Sequence, residues 1–152
     1  MADLVFNIAK GRVAELYNRV DLGDPSAARL YVIPISAGAA TDATLRDCAD
    51  FAAIIAAGAS ELTTGGWNRK TLTSADLGTM TVDNTNDRMP LDIADQTWTA
   101  VTTGVSTDVV ICYASVASPT NAQLVPLTLH DFPITPDGSD VTATVADFYR
   151  AS

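Results

Sequence analysis

Residues 65–101, GGWNRKTLTSADLGTMTVDNTNDRMPLDIADQTWTAV, decide the fold class of this chain. Thr-rich segments that favour strands, at 70–73, 79–83 and 96–101, alternate here with turn signals built from Gly, Pro, Asp and Asn. The stretch contains no nucleophile–base pair, metal-ligand spacing or phosphate-binding loop. It is typical of the middle of a compact β domain that presents a surface rather than a reaction centre.

The sequence on both sides adds further strands and one clear helix. Predicted strands cover 29–36, 108–114, 123–132 and 141–145, and the nearly continuous apolar run DVVICYA (108–114) predicts a central strand buried on both faces. Pro34 lacks a ladder donor, which predicts an edge strand or a bulge there. The spacing of seven or eight short strands predicts an antiparallel β-sandwich or jelly-roll-like domain.

Two segments have helical patterns. A helix inserted between the strands is predicted over 43–57, with Thr41 or Asp42 as its N-cap and Gly58 just past its end. Residues 1–22 form an N-terminal arm, helical or extended, in which Gly11 interrupts an apolar stripe. The predicted organisation is therefore an arm over 1–22 followed by a single β domain over 23–152.

Composition narrows the class of partner. The chain has 152 residues, of which 47% are hydrophobic and 18% charged, and its net charge is -9. Nine scattered basic residues do not form the cluster that phosphate binding needs, so a nucleic-acid partner is not expected.

The expected location follows from features that the sequence lacks. No apolar run approaches the roughly 20 residues of a membrane span, and the N-terminus lacks the pattern of a signal peptide. Synthesis and folding in the cytoplasm are expected. Two cysteines, Cys48 and Cys112, are expected as buried thiols, and a bridge between them stays open at this stage.

The candidate catalytic and metal-binding residues are few. His130, the only histidine, lies on a predicted strand without an accompanying nucleophile motif, so no catalytic residues, cofactor or enzyme activity are predicted. The oxygen-rich cluster of Asp83, Asp87, Asp92 and Asp95 suggests calcium. Arg88 occupies the position where an EF-hand loop requires glycine, so no EF-hand is predicted and the four residues are only candidate ligands of an irregular site. The alternative is that Asp83 and Asp87 close a turn in which Arg88 pairs with one of them.

The two tryptophans suggest a different kind of site. Trp98 is predicted in the core, whereas Trp67 follows two glycines and is the better candidate for an exposed ring that stacks on a sugar. A carbohydrate-binding module for the host surface is therefore an alternative function.

Nearly the whole chain resembles a family of small virion proteins of tailed bacteriophages, especially phages of actinobacteria. The segments that carry the resemblance are AKGRVAELYNRV (9–20), DP (24–25), RLYVIPIS (29–36), TDATLRD (41–47), NRKTLT (68–73), VDNTNDRMPLDIADQTWTAV (82–101), VVICY (109–113) and, within 129–152, LHDFPITPDGSDVTATV and FYRAS. The resemblance implies a virion location and a head decoration or minor capsid protein. A tail or fibre component is the alternative that it leaves open.

The same resemblance implies the partners. A decoration protein binds the major capsid protein, and repeated copies on a symmetric shell predict a homotrimer. We hypothesise that Phe6, Ile8, Val13, Leu16 and Tyr17 of the arm dock on a neighbouring subunit. The competing prediction is that the arm packs on its own domain.

Overall fold

The chain folds mainly as antiparallel β-structure in this computed structural model, which describes residues 2–151. The strands are β1 (Leu4–Val5), β2 (Arg29–Ser36), β3 (Ser60–Glu61), β4 (Lys70–Leu72), β5 (Met89–Leu91), β6 (Gln96–Trp98), β7 (Ser106–Ala114), β8 (Val125–Ile134), β9 (Val141–Ala143) and β10 (Tyr149–Ala151). The α-helices are α1 (Val13–Leu22), α2 (Asp42–Arg46) and α3 (Phe51–Ala56).

One six-stranded sheet organises the rest of the molecule. Four of its strands lie in the order β1-β8-β7-β2. The other two strands both pair with the far side of β2: β4 pairs beside Leu30 and β3 beside Ile35. Two smaller pairs, β5 with β10 and β6 with β9, form a partial second layer. The predicted class, a mainly β, antiparallel, sandwich-like domain, is confirmed.

The central strand β7 is buried on both faces, as its apolar run predicts. Alternate side chains enter two separate cores: Val109, Ile111 and Tyr113 point into the first, and Val110 and Cys112 into the second. A strand with period-two alternation needs an apolar layer on each side when both of its faces are hydrophobic. The rest of the chain supplies those two layers.

Different parts of the chain cover the two faces. The first core is filled by α1, both tryptophans, Leu91, Ile93 and Phe148. The second core is filled from α2, α3 and the arm, principally by Leu45, Phe51, Ile54 and Phe6. Each fully buried side chain of this size stabilises the fold by about 1.5–3 kcal/mol.

The predicted single helix over 43–57 is wrong, because the segment contains two short helices. Thr41 caps α2 by accepting a hydrogen bond from the Thr44 amide at 3.3 Å. Asp50 then adopts an extended backbone and caps a new helix, accepting from the Ala53 amide at 2.8 Å. Within residues 2–151, no helix is long and apolar enough to cross a membrane.

The arm is both extended and helical, and it is integrated into the domain. β1 pairs with β8, a turn of 3-10 helix follows over Asn7–Ala9, and α1 begins after Gly11, whose φ of +77° ends the first part. Phe6, Val13, Leu16 and Tyr17 are buried in this chain's own cores, whereas Ile8 is 38% exposed. Four of the five side chains in the docking hypothesis are therefore inaccessible to a neighbour, and the competing prediction describes the fold.

Pro34 lies in a central strand, so the predicted edge position is wrong. It pairs with Val109 of β7 on one side. On the other side its carbonyl accepts from the Leu62 amide at 3.0 Å, in the gap between β4 and β3. The nitrogen and the carbonyl of one strand residue point to the same side of the strand, so the nitrogen of Pro34 also faces this gap. Its missing N–H therefore falls where no strand is paired with β2 on that side. Pro126 pairs with Cys112 beside a bulge in β8.

The outer side of β8 is protected from further strand addition. β1 covers Thr128 and Leu129. The next outward amide, that of Asp131, donates to the Asp3 carboxylate at 2.8 Å, and Pro133, two residues further on, has no N–H. A sheet edge without available donors is a poor template for another strand.

Phe6 provides a test of whether the arm is part of the core. Phe6→Ala is expected to lower the free energy of unfolding by about 3–5 kcal/mol because it empties a fully buried site. Ile8→Ala, in the same part of the arm but at a partly exposed side chain, is the matched control. It is expected to lower the free energy of unfolding by less than about 1 kcal/mol. Denaturant unfolding measures both, and equal stabilities would show that the arm does not contribute to the core.

Candidate functional site

The two ends of the chain form the walls of a surface cleft. Asp3, Leu4 and Val5 form one wall, and the C-terminal segment 147–150 forms the other, with Thr128 and His130 of β8 between them. The cleft has a volume of about 460 Å³. We name it the terminal cleft.

A second hollow of about 230 Å³ adjoins the terminal cleft. The two share His130, Asp147, Phe148 and Arg150 as lining residues. The second hollow reaches the sheet between β2, β7 and β8, and its apolar lining consists of Val32, Ile93, Val109, Ile111, Phe132, Val145, Ala146 and Phe148. An apolar hollow with a few convergent polar groups is the usual form of a small-ligand site.

His130 is the titratable group between the two hollows. Its Nε2 lies 2.9 Å from the Thr128 hydroxyl, and its Nδ1 lies 3.6 Å from an Asp3 carboxylate oxygen. Burial lowers the pKa of His130 below its ordinary 6.5, and the nearby Asp3 charge opposes this shift. The imidazole is therefore neutral near pH 7.

Thr128, His130 and Asp3 stand in the order of a hydroxyl, a base and a carboxylate, but their geometry does not suit nucleophilic catalysis. Thr128 is only 2% exposed, so its hydroxyl is poorly placed to attack a substrate carbonyl. The 3.6 Å between Asp3 and His130 is also longer than the hydrogen bond that orients a catalytic base. The arrangement fits a binding wall better than a reaction centre.

Asp147 and Arg150 form an ion pair in the lining of the terminal cleft. The Arg150 Nε donates to the Asp147 carboxylate at 2.7 Å. Backbone contacts hold the segment that carries them: Phe148 donates to the Leu91 carbonyl at 3.0 Å, and β10 pairs with β5. The Val145 amide, just before, donates to Asp95 at 2.8 Å.

Trp67 is buried, so the predicted exposed sugar platform is wrong at this residue. It is 2% exposed, packs against Trp98 with ring centroids 5.3 Å apart, and donates its indole N–H to the Gly104 carbonyl. The preceding Gly66 has a φ of +99°, and a side chain there would meet the Thr99 carbonyl at 2.8 Å. The two glycines therefore permit close packing of the backbone rather than an exposed loop.

The acidic residues proposed as calcium ligands have separate structural roles. Asp83 closes a turn through bonds from Asn86 and Arg88, and these bonds lower its carboxyl pKa to about 2. Asp87 lies in the same turn with a φ of +50°. Asp95 holds Val145, and burial raises the pKa of Asp92. Within residues 2–151, no group of three or more His, Cys, Asp or Glu side chains could hold a metal ion.

The cysteines remain unbridged. Cys48 and Cys112 are both buried and free, and burial raises the pKa of each thiol. The expectation of two buried thiols is confirmed.

Most of the cleft was not predicted from the sequence. His130 was noted, and its two-residue spacing from Thr128 places both side chains on one face of a strand. Asp3, Asp147 and Arg150 were missed, because only the fold brings residue 3 close to residues 147–150. The Asp147–Arg150 spacing alone is too common to indicate a site.

Comparison with known proteins identifies no relative. No family model matches the chain, and no curated protein or solved structure matches it.

His130 predicts a pH dependence of stability. Because its pKa is lower in the folded chain, the unfolded chain binds more protons below pH 6.5. The contribution of His130 to the free energy of unfolding is thus present above pH 6.5 and is lost as the pH falls through the folded pKa. The difference between the free energies of unfolding of the wild type and of His130→Gln is therefore expected to shrink in favour of the variant as the pH falls from 7 to 5.

Denaturant titrations of the two proteins at matched pH measure this difference. It should stay constant from pH 7 to pH 8.5, which serves as the internal control. A difference that grows as the pH falls from 7 to 5 would contradict the predicted direction of the shift.

Proposed function

We propose that this chain is a structural virion protein of a tailed bacteriophage, a decoration or minor capsid protein that binds the outer surface of the head. The resemblance of its sequence to small phage virion proteins supports this function. The fold is compatible with it, because a small β domain with two well-filled cores remains rigid when repeated over a shell.

The observation that carries the proposal is the distribution of charge. Five of the nine basic residues are engaged in ion pairs within the chain, namely Arg12, Arg19, Arg69, Arg88 and Arg150. Lys70 lies over the Trp98 ring at 5.5 Å, and Arg29 donates to backbone carbonyls. Each ion pair also uses a carboxylate, so the net charge of -9 is carried by the remaining acidic residues, many of them exposed, such as Asp3, Asp47 and Asp137.

An acidic surface of this kind is suited to the outside of a particle filled with DNA. It repels nucleic acid and disfavours non-specific attachment to phosphate.

The proposed partners are the major capsid protein and further copies of this chain. The protected outer side of β8 argues that association there does not proceed by extending the sheet, since the outward donors are paired or absent. We propose instead that copies of this chain associate through their side-chain surfaces in a closed ring, most simply a homotrimer.

The proposal predicts the composition and stability of phage heads. Particles of the phage that encodes this chain should contain it in a fixed ratio to the major capsid protein, in the head fraction after heads and tails are separated. Heads made without it should open at a lower temperature because they lack its cross-contacts. Adding the purified protein should restore the higher temperature in a saturable manner.

Quantitative mass spectrometry measures the ratio, and thermal release of DNA measures the opening temperature with and without the added protein. Light scattering of the purified chain measures whether it forms the proposed homotrimer. Phe6→Ala, expected to be unstable, serves as the negative control for restoration, and Ile8→Ala as the control for substitution in the same segment. Recovery of the chain in the tail fraction, or its absence from particles, would refute the decoration function.

A further inference from the structure

The Asp147–Arg150 pair has hydrogen-bonding capacity that the fold does not use. Asp147 is 15% exposed at the junction of the two hollows, whereas Arg150 is 54% exposed at the rim. Among residues 2–151, the bond from Arg150 Nε to one oxygen of Asp147 is the only side-chain hydrogen bond that either group makes. One carboxylate oxygen and the terminal nitrogens of the guanidinium therefore remain available to a ligand.

The Asp147–Arg150 pair presents both signs of charge, and further carboxylates lie nearby, Asp3 across the cleft and Asp131 in the adjoining hollow. A carboxylate or phosphate would bind Arg150 but meet these three carboxylates. An ammonium group would bind the carboxylates but meet Arg150. His130 adds no charge near pH 7, since burial lowers its pKa. A ligand that both donates and accepts hydrogen bonds without a charge satisfies all of these groups.

Two neighbouring hydroxyls have that property. Each hydroxyl donates one hydrogen bond and accepts others, so one can donate to Asp147 while its neighbour accepts from Arg150. The wall next to the pair carries Tyr149, and Phe132 lines the adjoining hollow; both side chains are only partly buried. Aromatic side chains with an apolar body suit the C–H face of a sugar ring.

We propose that the terminal cleft binds a neutral saccharide through the Asp147–Arg150 pair. A vicinal diol of the sugar bonds to the pair, and its apolar face packs against the aromatic wall. The site is distinct from the tryptophan platform predicted from the sequence, and the proposal does not depend on a role in the phage head.

The test is a titration of the isolated, isotopically labelled chain by NMR. Neutral probes are the methyl glycosides of glucose, galactose and N-acetylglucosamine. A methyl glucuronide and glucosamine serve as the anionic and cationic counterparts. At least one neutral probe should shift the amide signals of residues 128–131 and 147–150 in a saturable manner, at concentrations on the order of millimolar. The charged counterparts should bind more weakly.

Arg150→Gln provides the decisive variant. Its side chain lies at the rim, so the fold should tolerate the change, and the affinity should fall on the order of tenfold with loss of the charged donor. Arg19→Gln is the matched control, because Arg19 is 45% exposed and forms a similar ion pair, with Glu15, on α1 outside the cleft. Asp147→Asn should weaken binding in the same way, with its fold verified by the dispersion of the spectrum.

Three results would overturn the proposal. The first is the absence of saturable shifts in the cleft with all neutral probes up to their solubility limits. The second is equal affinity of the wild type and Arg150→Gln. The third is tighter binding of the glucuronide or of glucosamine than of every neutral probe, which would assign the site to a charged ligand.

Discussion

The burial of β7 on both faces is the constraint on which the rest of the structure depends. A strand that alternates Val109 and Ile111 with Val110 and Cys112 exposes an apolar surface on each side unless two layers cover it. One layer comes from α1 and the loops around the tryptophans, the other from α2, α3 and Phe6. The first twenty residues are therefore required by the core, because they contribute to both layers.

The sequence predicted what depends on local pattern. Continuous hydrophobicity indicated that β7 is central, Gly11 indicated the break in the arm, and Thr41 and Gly58 marked helix ends. Predictions failed where a distant segment decides the outcome. The first helix ends at Arg46 and Asp50 caps a second one. Pro34 is tolerated because the ladder has a gap beside it, and Trp67 is buried because Gly66 lets the backbone approach residue 99.

The terminal cleft illustrates the same limit for a site. Its groups lie on or next to β1, β8 and the last strand, and each is unremarkable in its local sequence. Pairing of β1 with β8 and of β10 with β5 brings them together. A charged pair held at the edge of an apolar hollow is a consequence of tertiary structure, whereas the acidic surface follows directly from composition.

The pairing of Leu4 with Leu129 has a consequence for biosynthesis. The first strand leaves the ribosome long before its partner exists, and at typical elongation rates the interval is on the order of ten seconds. During this time Phe6 and the apolar face of α1 are without the sheet that later covers them. The nascent chain thus passes through a period of exposed hydrophobic surface, in which aggregation competes with folding.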